Sequence, residues 1–245
     1  MTAQLRAELL KHRSTSTNFG LLLTMFGLVL LAVLLHGLTL PADRLASASE
    51  QVQVFRFGPL LGVLFAGLAG AMSITGEIRY GTIRPTFLIT PRRGRVIAAK
   101  IVAGGLVGTV FGLAAVGAAI GLGSAALAAR GIPIALDGGD YMLMPAGSIA
   151  AAALWAPIGL GLGALLRNQV ATLAAIFLWV FFVENLLLDF VPGAGRLAPG
   201  AAAAALTGLD RGTLLAPAVG APLLALYAGT IAGAGAFATL RRDVP

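Results

Sequence analysis

Six long apolar runs constrain the fold of this chain more than any other feature of its sequence. Each run is close to the about 20 residues of helix that cross a hydrocarbon core of roughly 30 Å. The runs are continuous rather than alternating, which favours helices over the strands of a barrel. We therefore predict an all-α, polytopic membrane protein whose residues 19–245 form six transmembrane helices. The runs lie near Phe19–Leu40, Phe57–Ile74, Ile101–Ala129, Ala146–Leu166, Val170–Leu188 and Leu214–Leu240.

Composition supports a membrane protein and narrows the possible functions. Of the 245 residues, 58% are hydrophobic and only 11% are charged, whereas soluble domains have about a quarter of charged residues. The absence of Cys excludes disulfides and thiolate metal sites, and two His residues are too few for a His-based metal cluster. The basic residues lie at the ends of apolar runs, where they meet lipid headgroups. We therefore predict membrane lipids and no nucleic acid as partners.

The distribution of basic residues also predicts the orientation. If Met1 is cytoplasmic, the internal segments are 1–18, 75–100, 167–169 and 241–245, and they contain 12 of the 17 Lys and Arg residues. The positive-inside rule then places both termini in the cytoplasm and the chain in the cytoplasmic membrane. The first run is longer than the apolar core of a signal peptide, so we interpret it as a retained span.

Two segments outside the runs are expected to be helical. In residues 1–18, Leu5, Leu9 and Leu10 fall on one side of a helix, which predicts an N-terminal interfacial helix, with a solvated tail as the alternative. Residues 189–213 are too broken to span a membrane and too rich in Ala for a plain loop. We predict short helices at the outer surface there.

The chain has no sequence pattern of an enzyme. A phosphate-binding loop needs a Lys followed by a hydroxyl residue. The only lysines, Lys11 and Lys100, precede His12 and Ile101. Zinc-protease and nucleophile-elbow patterns are also missing. We therefore predict that the chain is not an enzyme and binds no cofactor itself.

Glu184 is the one acidic candidate inside an apolar run, near the outer end of the fifth run. Acidic residues inside a membrane usually mark functional or paired positions. We interpret Glu184 as a structural anchor or as the partner of Arg196 or Arg211 in an ion pair. A contact with substrate at an outer gate is the alternative.

Glycines recur at helical spacing in the third and fourth runs. Such positions allow helix backbones to approach closely, either within the chain or at a dimer face. The positions are Gly104, Gly108, Gly112, Gly117 and Gly121 in the third run and Gly159, Gly161 and Gly163 in the fourth.

The segment from Glu77 to Lys100 separates the second and third runs and contains six of the 17 basic residues. It reads Glu77, then Gly81-Thr82-Ile83, Leu88, Pro91, Arg93, Arg95 and Lys100. This pattern resembles the signature of the ABC-2 type permeases, the membrane subunits of a class of ABC exporters. The stretch from Glu8 to Thr15 is similar to the Glu-Leu-x-Lys-x-Arg-Ser/Thr pattern near the start of many of these permeases. The six predicted spans also fit that family.

The resemblance implies that residues 77–90 form a coupling helix on a separate ATP-binding subunit, which holds the ATP and Mg. Thr75, Gly76 and Glu77 are suited to open such a helix, because an acid in the first turn is favourable. The alternative is that the arginines of the segment only enforce orientation and bind lipid headgroups. The candidate docking residues are Glu77, Arg79, Tyr80, Gly81, Thr82, Ile83, Arg84, Leu88, Pro91 and Arg95.

The sequence and this resemblance together favour a permease subunit of an ATP-driven exporter. Such a subunit pairs with a second, identical or different, permease subunit and moves a hydrophobic or amphipathic substrate such as a drug, lipid or peptide. The alternative is a non-transport membrane scaffold or a lipid-modifying membrane protein. A lipid-modifying enzyme needs polar residues that converge at one membrane depth, and here they are scattered along the chain.

Overall fold

The computed structural model describes residues 2–82, 85, 92–136, 138–208 and 214–241, without the side chains of residues 140 and 141. Nearly all of these residues are helical, and no strand occurs among them. A π-helical turn, Trp179–Val183, joins the helix Gln169–Leu178 to the helix Glu184–Phe190. The helices are α1 Thr2–Ser14, α2 Ser16–Thr39, α3 Ala42–Leu45, α4 Ala48–Phe55, α5 Phe57–Arg79, α6 Arg93–Ala129, α7 Gly138–Leu166, α8 Gln169–Leu178, α9 Glu184–Phe190, α10 Pro192–Gly195, α11 Pro199–Leu206 and α12 Pro217–Arg241.

Six helical segments in the described part of the chain are long and apolar enough to cross a membrane, which confirms the predicted all-α architecture. Spans two and three begin eight or nine residues before the predicted positions. Apolarity alone does not reveal these beginnings, because polar residues such as Glu50 and Arg95 extend the helices beyond the apolar runs. The spans are Ser16–Thr39, Ala48–Arg79, Arg93–Ala129, Met142–Leu166, Gln169–Phe190 and Pro217–Arg241.

The centre of the molecule is formed by α5 and α7, which pack along most of their length. The helix α6 lies against both, α2 covers α5 and α6, and α12 packs on α7. Large side chains such as Phe111 and Trp155 are almost fully buried between them. The outward faces of α2, α8 and α12 are apolar and exposed, as expected for helices that contact lipid.

Small residues allow the central helices to approach closely. A Cβ atom at Gly159 would overlap the carbonyl oxygen of Gly67 on α5, and one at Gly161 would overlap that of Ile231 on α12. On α6, Gly108 and Gly112 lie against Ala152 of α7. These glycines therefore serve packing within the chain. In contrast, a Cβ at Gly117 or Gly121 would meet nothing within 4 Å.

The helix ends opposite α1 are joined by two polar side chains. Arg130, which follows α6, donates hydrogen bonds of 2.7 Å to the carbonyl oxygens of Gly37 and Leu40 at the end of α2. The fully buried Gln51 of α4 donates to the carbonyl oxygen of Pro133 at 2.9 Å. Both contacts satisfy backbone groups that helix ends and loops leave unpaired. These hydrogen bonds connect the end of α2, the helix α4 and the segment between α6 and α7 at this end of the molecule.

The segment between α9 and α12 contains the short helices α10 and α11. The helix α11 packs against α7 and α12, and Ala202 and Ala203 are buried there. Small Ala side chains suit this close contact. The position of this segment at the outer membrane surface stays a prediction.

Candidate functional site

Four charged side chains from three helices meet at the α1 end of the molecule. Glu8 and Lys11 come from α1, Glu77 from the last turn of α5 and Lys100 from the second turn of α6. We call these four residues the charged cluster. The chain has only two lysines, and both belong to this cluster. The four ion pairs seen between two described residues all lie within it.

The charged cluster is compact and partly buried. Lys100 Nζ lies 2.6 Å from Glu8 Oε2 and 2.9 Å from Glu77 Oε1. Lys11 Nζ lies 2.7 Å from Glu8 Oε1 and 2.8 Å from Glu77 Oε1. The side chain of Lys100 is only 3% exposed and that of Glu8 only 5%. Two positive and two negative charges therefore balance in a site where Lys100 and Glu8 are buried and Lys11 is half exposed, and the buried charges are paired as their burial requires.

The pKa shifts of the two cluster residues in α1 keep both of them ionised. Burial opposes the ionisation of Glu8, but Lys100 and Lys11 outweigh it, so the pKa of Glu8 lies below its ordinary value. Burial likewise opposes the charge on Lys11, while its hydrogen bonds to Glu77 and Glu8 raise its pKa above the ordinary value. Both residues are therefore charged near neutral pH.

His12 lies beside the charged cluster and is held neutral. Burial, together with the positive charge of Lys100, lowers the pKa of His12 below its ordinary value of 6.5. Asn18 Nδ2 donates a hydrogen bond of 2.9 Å to His12 Nδ1. Because Nδ1 accepts, the neutral ring carries its proton on Nε2. The same amide donates to the backbone oxygen of His12 and joins α1 to α2.

The turn between α1 and α2 fixes the direction in which α1 packs. Thr15 has an extended backbone, and its hydroxyl donates to the carbonyl oxygen of Lys11 at 2.6 Å. The hydroxyl of Ser14 donates to the same oxygen at 3.2 Å, so side chains satisfy a carbonyl in the last turn of α1. The helix α1 can then fold back across α6, where Glu8 is buried and Leu10 stays exposed. Contact of α1 with the membrane interface stays a prediction.

Glu77 does not open a helix, so this part of the predicted coupling helix requires correction. Thr75, Gly76 and Glu77 lie in the last turns of α5, which ends at Arg79. The Thr75 hydroxyl bonds the carbonyl oxygen of Ala71 within that helix, so it does not act as a cap. The backbone nitrogen of Thr82 donates to the oxygen of Glu77, the closing bond of a helix C-terminus.

The predicted docking residues that follow form an exposed turn. Gly81 has φ +69, a left-handed conformation that favours glycine. Tyr80 is 75% exposed, and the Arg79 guanidinium lies 5.7 Å from its ring. Thr82 and Arg95 are exposed as well. Ile83, Arg84, Leu88 and Pro91 lie outside the described residues.

The structure therefore separates the predicted docking residues into two groups. Glu77 belongs to the charged cluster. Tyr80, Gly81 and Thr82, a few residues later, are exposed at the surface. Glu8, Lys11 and Lys100 were missing from the predicted site. A signal for Lys100 existed, because it lies directly before an apolar run, where a charged side chain needs a partner. The pairing with Glu8 spans 92 positions and is not visible in the sequence.

Glu184 forms no ion pair with any residue that the structure describes. It is 5% exposed, and its Oε1 accepts hydrogen bonds from Trp179 Nε1 at 2.5 Å and from the backbone nitrogen of Gly200 at 2.7 Å. The predicted pairing with Arg196 is wrong, since Arg196 is exposed and Glu184 is satisfied by neutral donors. Arg211 lies outside the described residues. Glu184 thus anchors the start of α11 to the π-helical turn.

The fold defines a class of protein: an all-α, multi-pass membrane protein with a partly buried charged cluster at one end of its spans. The family model described as ABC-2 family transporter protein matches residues 17–198. Because the match covers most of the chain, the chain belongs to this family of ABC transporter permeases. Glu77 and Lys100 lie within the matched residues, and Glu8 and Lys11 precede them. No curated protein matches the chain.

Proposed function

We propose that this permease is the membrane subunit of an ATP-driven exporter with both termini in the cytoplasm. The basic residues of segments 1–18 and 75–100 support this orientation. An ATP-binding subunit docks on the segment that begins with the exposed turn Tyr80–Thr82. A second permease subunit completes the pathway through the cytoplasmic membrane. ATP and Mg belong to the docked subunit.

The charged cluster is the observation that carries this proposal. It joins α1, the end of α5 and the beginning of α6 through contacts of 2.6–2.9 Å, directly beside the exposed turn. A force applied to that turn therefore acts on three helices that are held together. Rigid-body displacement of such a unit is a common way to switch between two discrete arrangements.

The apolar composition of the spans supports a particular class of substrate. In the described residues, charged side chains inside the membrane are few, and the buried surfaces are mostly apolar. A pathway between two such subunits suits a hydrophobic or amphipathic substrate, such as a drug, a lipid or a peptide. Binding a charged solute there would require desolvation without a compensating partner.

Capture of the ATP-binding subunit tests the proposal. The tagged full-length chain is purified from its native membranes in mild detergent, and the co-purifying proteins are identified and quantified by mass spectrometry. The expected result is a stoichiometric ATP-binding chain with measurable ATPase activity. Purification of the intact chain without any nucleotide-binding protein, after crosslinking in the membrane, would contradict it.

A further inference from the structure

The helix α1 lies along the ends of the spans and does not project away from them. Its Glu8 contacts Lys100, which directly precedes the third apolar run. Its Lys11 contacts Glu77, three residues after the second apolar run. At its C-terminal end, only Thr15 separates α1 from the first span. Positions about 10 Å apart along α1 are therefore held at the depth where apolar helix meets the polar interface of a bilayer.

The helix α1 packs beside α6 and not below its end. The helix α6 begins at Arg93, seven residues before Lys100. Its first two turns therefore extend about 10 Å past the contact between Lys100 and Glu8. The side of α1 that faces away from α6 is consequently turned toward the surroundings of the spans, which at this depth are lipid headgroups.

The side of α1 opposite Glu8 consists of Arg6, Leu10 and Arg13. At about 100° per residue, these three positions fall within an arc of about 60°. All three side chains are exposed, Leu10 to 65%, whereas the other two leucines of α1 are half-buried. We call these three residues the outer face of α1. An apolar side chain between two long cations can contact acyl chains and headgroups at once.

The positive charge of the outer face is not balanced by a neighbouring acid. Glu8 and Glu77 are the two acids that the structure describes at this end of the spans, and each of them is paired with lysines. The charged cluster is therefore neutral as a whole, and it leaves Arg6 and Arg13 uncompensated. Arg92 and Arg95 at the beginning of α6 are exposed as well. The outer face thus fits a partner with negative charge.

We propose that the outer face of α1 binds anionic phospholipids of the leaflet that surrounds α6. The guanidinium groups of Arg6 and Arg13 donate to phosphate oxygens, which their planar forks match, and Leu10 contacts the acyl chains. The headgroup has a net negative charge, as in phosphatidylglycerol, because a choline group would place a further cation beside the arginines. This binding goes beyond the proposed transport function and needs no ATP-binding subunit.

A fluorescent label on the outer face tests the proposal directly. Leu10→Cys is labelled with an environment-sensitive maleimide, and the full-length chain is reconstituted into vesicles with equal amounts of phosphatidylglycerol and phosphatidylcholine. Only one of the two lipids has brominated acyl chains, which quench the label on contact, so the vesicle charge is the same in both samples. At low ionic strength, brominated phosphatidylglycerol is expected to quench as if it were enriched at least about tenfold at α1.

A second label position controls for the lipid mixture. Leu31 is 53% exposed near the middle of the first span, where it meets acyl chains and no headgroup. The label on Leu31→Cys should therefore be quenched equally by the two brominated lipids. A higher salt concentration should reduce the preference at Leu10→Cys, because it screens exposed charges.

Matched pairs of substitutions locate the binding site. Arg6→Gln combined with Arg13→Gln should remove the preference at Leu10→Cys, at about fivefold for each arginine. Arg44→Gln combined with Arg196→Gln removes two exposed arginines at the opposite ends of the spans and should leave the preference unchanged. Arg6→Lys with Arg13→Lys keeps both charges and should keep most of the preference. Equal melting temperatures in detergent show that all three proteins are folded.

Three outcomes would overturn the assignment: equal quenching of Leu10→Cys by the two brominated lipids, no quenching by either, or an unchanged preference after loss of Arg6 and Arg13. Loss of the quenching when an ATP-binding subunit is present would assign the outer face to that subunit instead. The vesicle measurement itself needs no partner protein, so its failure is distinct from a failure to capture an ATP-binding subunit.

Discussion

At the scale of single residues, the charged cluster is stable only while all of its charges are balanced. Removing one ion from water costs several kcal/mol, and its buried partners compensate for this cost. Lys100 is central to this balance, because it contacts both carboxylates and is only 3% exposed. Loss of Lys100 would leave Glu8 and Glu77 close together with Lys11 alone.

We expect Lys100→Met to destabilise the protein strongly. Breaking a buried pair costs about 3–5 kcal/mol, which corresponds to a decrease in Tm of about 6 °C or more in a chain of this size. The measurement is thermal unfolding of the full-length chain in detergent. Arg95→Met, which removes an exposed cation on the same helix, is the control and should change the Tm little. Similar effects of the two changes would contradict the role of the charged cluster.

His12 predicts a specific pH dependence. Its folded-state pKa lies below the ordinary value of 6.5, chiefly because the ring is buried. Between those two values the unfolded chain binds a proton that the folded chain does not, so stability falls as the pH decreases below about 6.5. The loss grows until the pH reaches the lowered pKa of the folded state.

The His12→Asn variant should lose this component, because its amide oxygen can still accept from Asn18 but does not titrate. Melting temperatures of both proteins are measured between pH 5 and pH 8, and their difference is plotted against pH. The unaltered chain is expected to lose more stability than the variant on the acidic side. Parallel curves would show that His12 does not titrate in the folded state as described.

At the scale of secondary-structure elements, the end of α5 carries two functions in a few residues. Glu77 fixes the helix to the charged cluster, and the left-handed Gly81 turns the chain out of the helix. The exposed turn is thus positioned by a buried ion pair four residues away. Its geometry depends on a backbone conformation that other residues adopt only with strain.

The Gly81→Ala variant should impair coupling to the ATP-binding subunit. The left-handed conformation costs about 1 kcal/mol or more for a residue with a Cβ, which is about fivefold in the population of the native turn. ATPase activity of the co-purified complex is the measurement, and a decrease of this order is expected.

Gly131→Ala is the matched control, because Gly131 has φ +68 and lies at the other end of α6, where an added Cβ would meet no atom within 4 Å. It introduces the same backbone strain far from the exposed turn. Equal losses of ATPase activity in the two variants would mean that backbone strain in general, and not a change in the exposed turn, causes the loss.

Glu184 connects two other elements, the π-helical turn and α11. Both hydrogen bonds are accepted by Oε1, so Glu184→Gln keeps the acceptor while Glu184→Ala leaves two donors unpaired. We expect the Ala variant to show faster hydrogen exchange in residues 200–206 and a lower Tm, with the Gln variant close to the unaltered chain. If the Gln variant behaved as the Ala variant does, the negative charge would be essential and the anchoring role incomplete.

At the scale of the whole molecule, the sequence predicts the spans well because a bilayer imposes length and apolarity on each of them. The family resemblance of Glu77 and Gly81 also pointed to the correct family. The contacts between segments that are distant in the sequence could not be predicted from it. The helix boundary at Arg79 and the pairing of Glu8 with Lys100 depend on packing and on charge compensation in three dimensions, which a single sequence does not encode in its local pattern.

Because the chain contains no Cys, a single introduced Cys is the only position that a maleimide labels on it. Tyr80→Cys, at the exposed turn, and Ile134→Cys, at an exposed position at the opposite end of α6, are each labelled with a photoreactive maleimide in native membranes. Irradiation of the Tyr80→Cys protein is expected to attach an ATP-binding chain, and the Ile134→Cys protein should attach none. Crosslinking of that chain from position 134, or its capture without any crosslink from position 80, would contradict docking at the exposed turn.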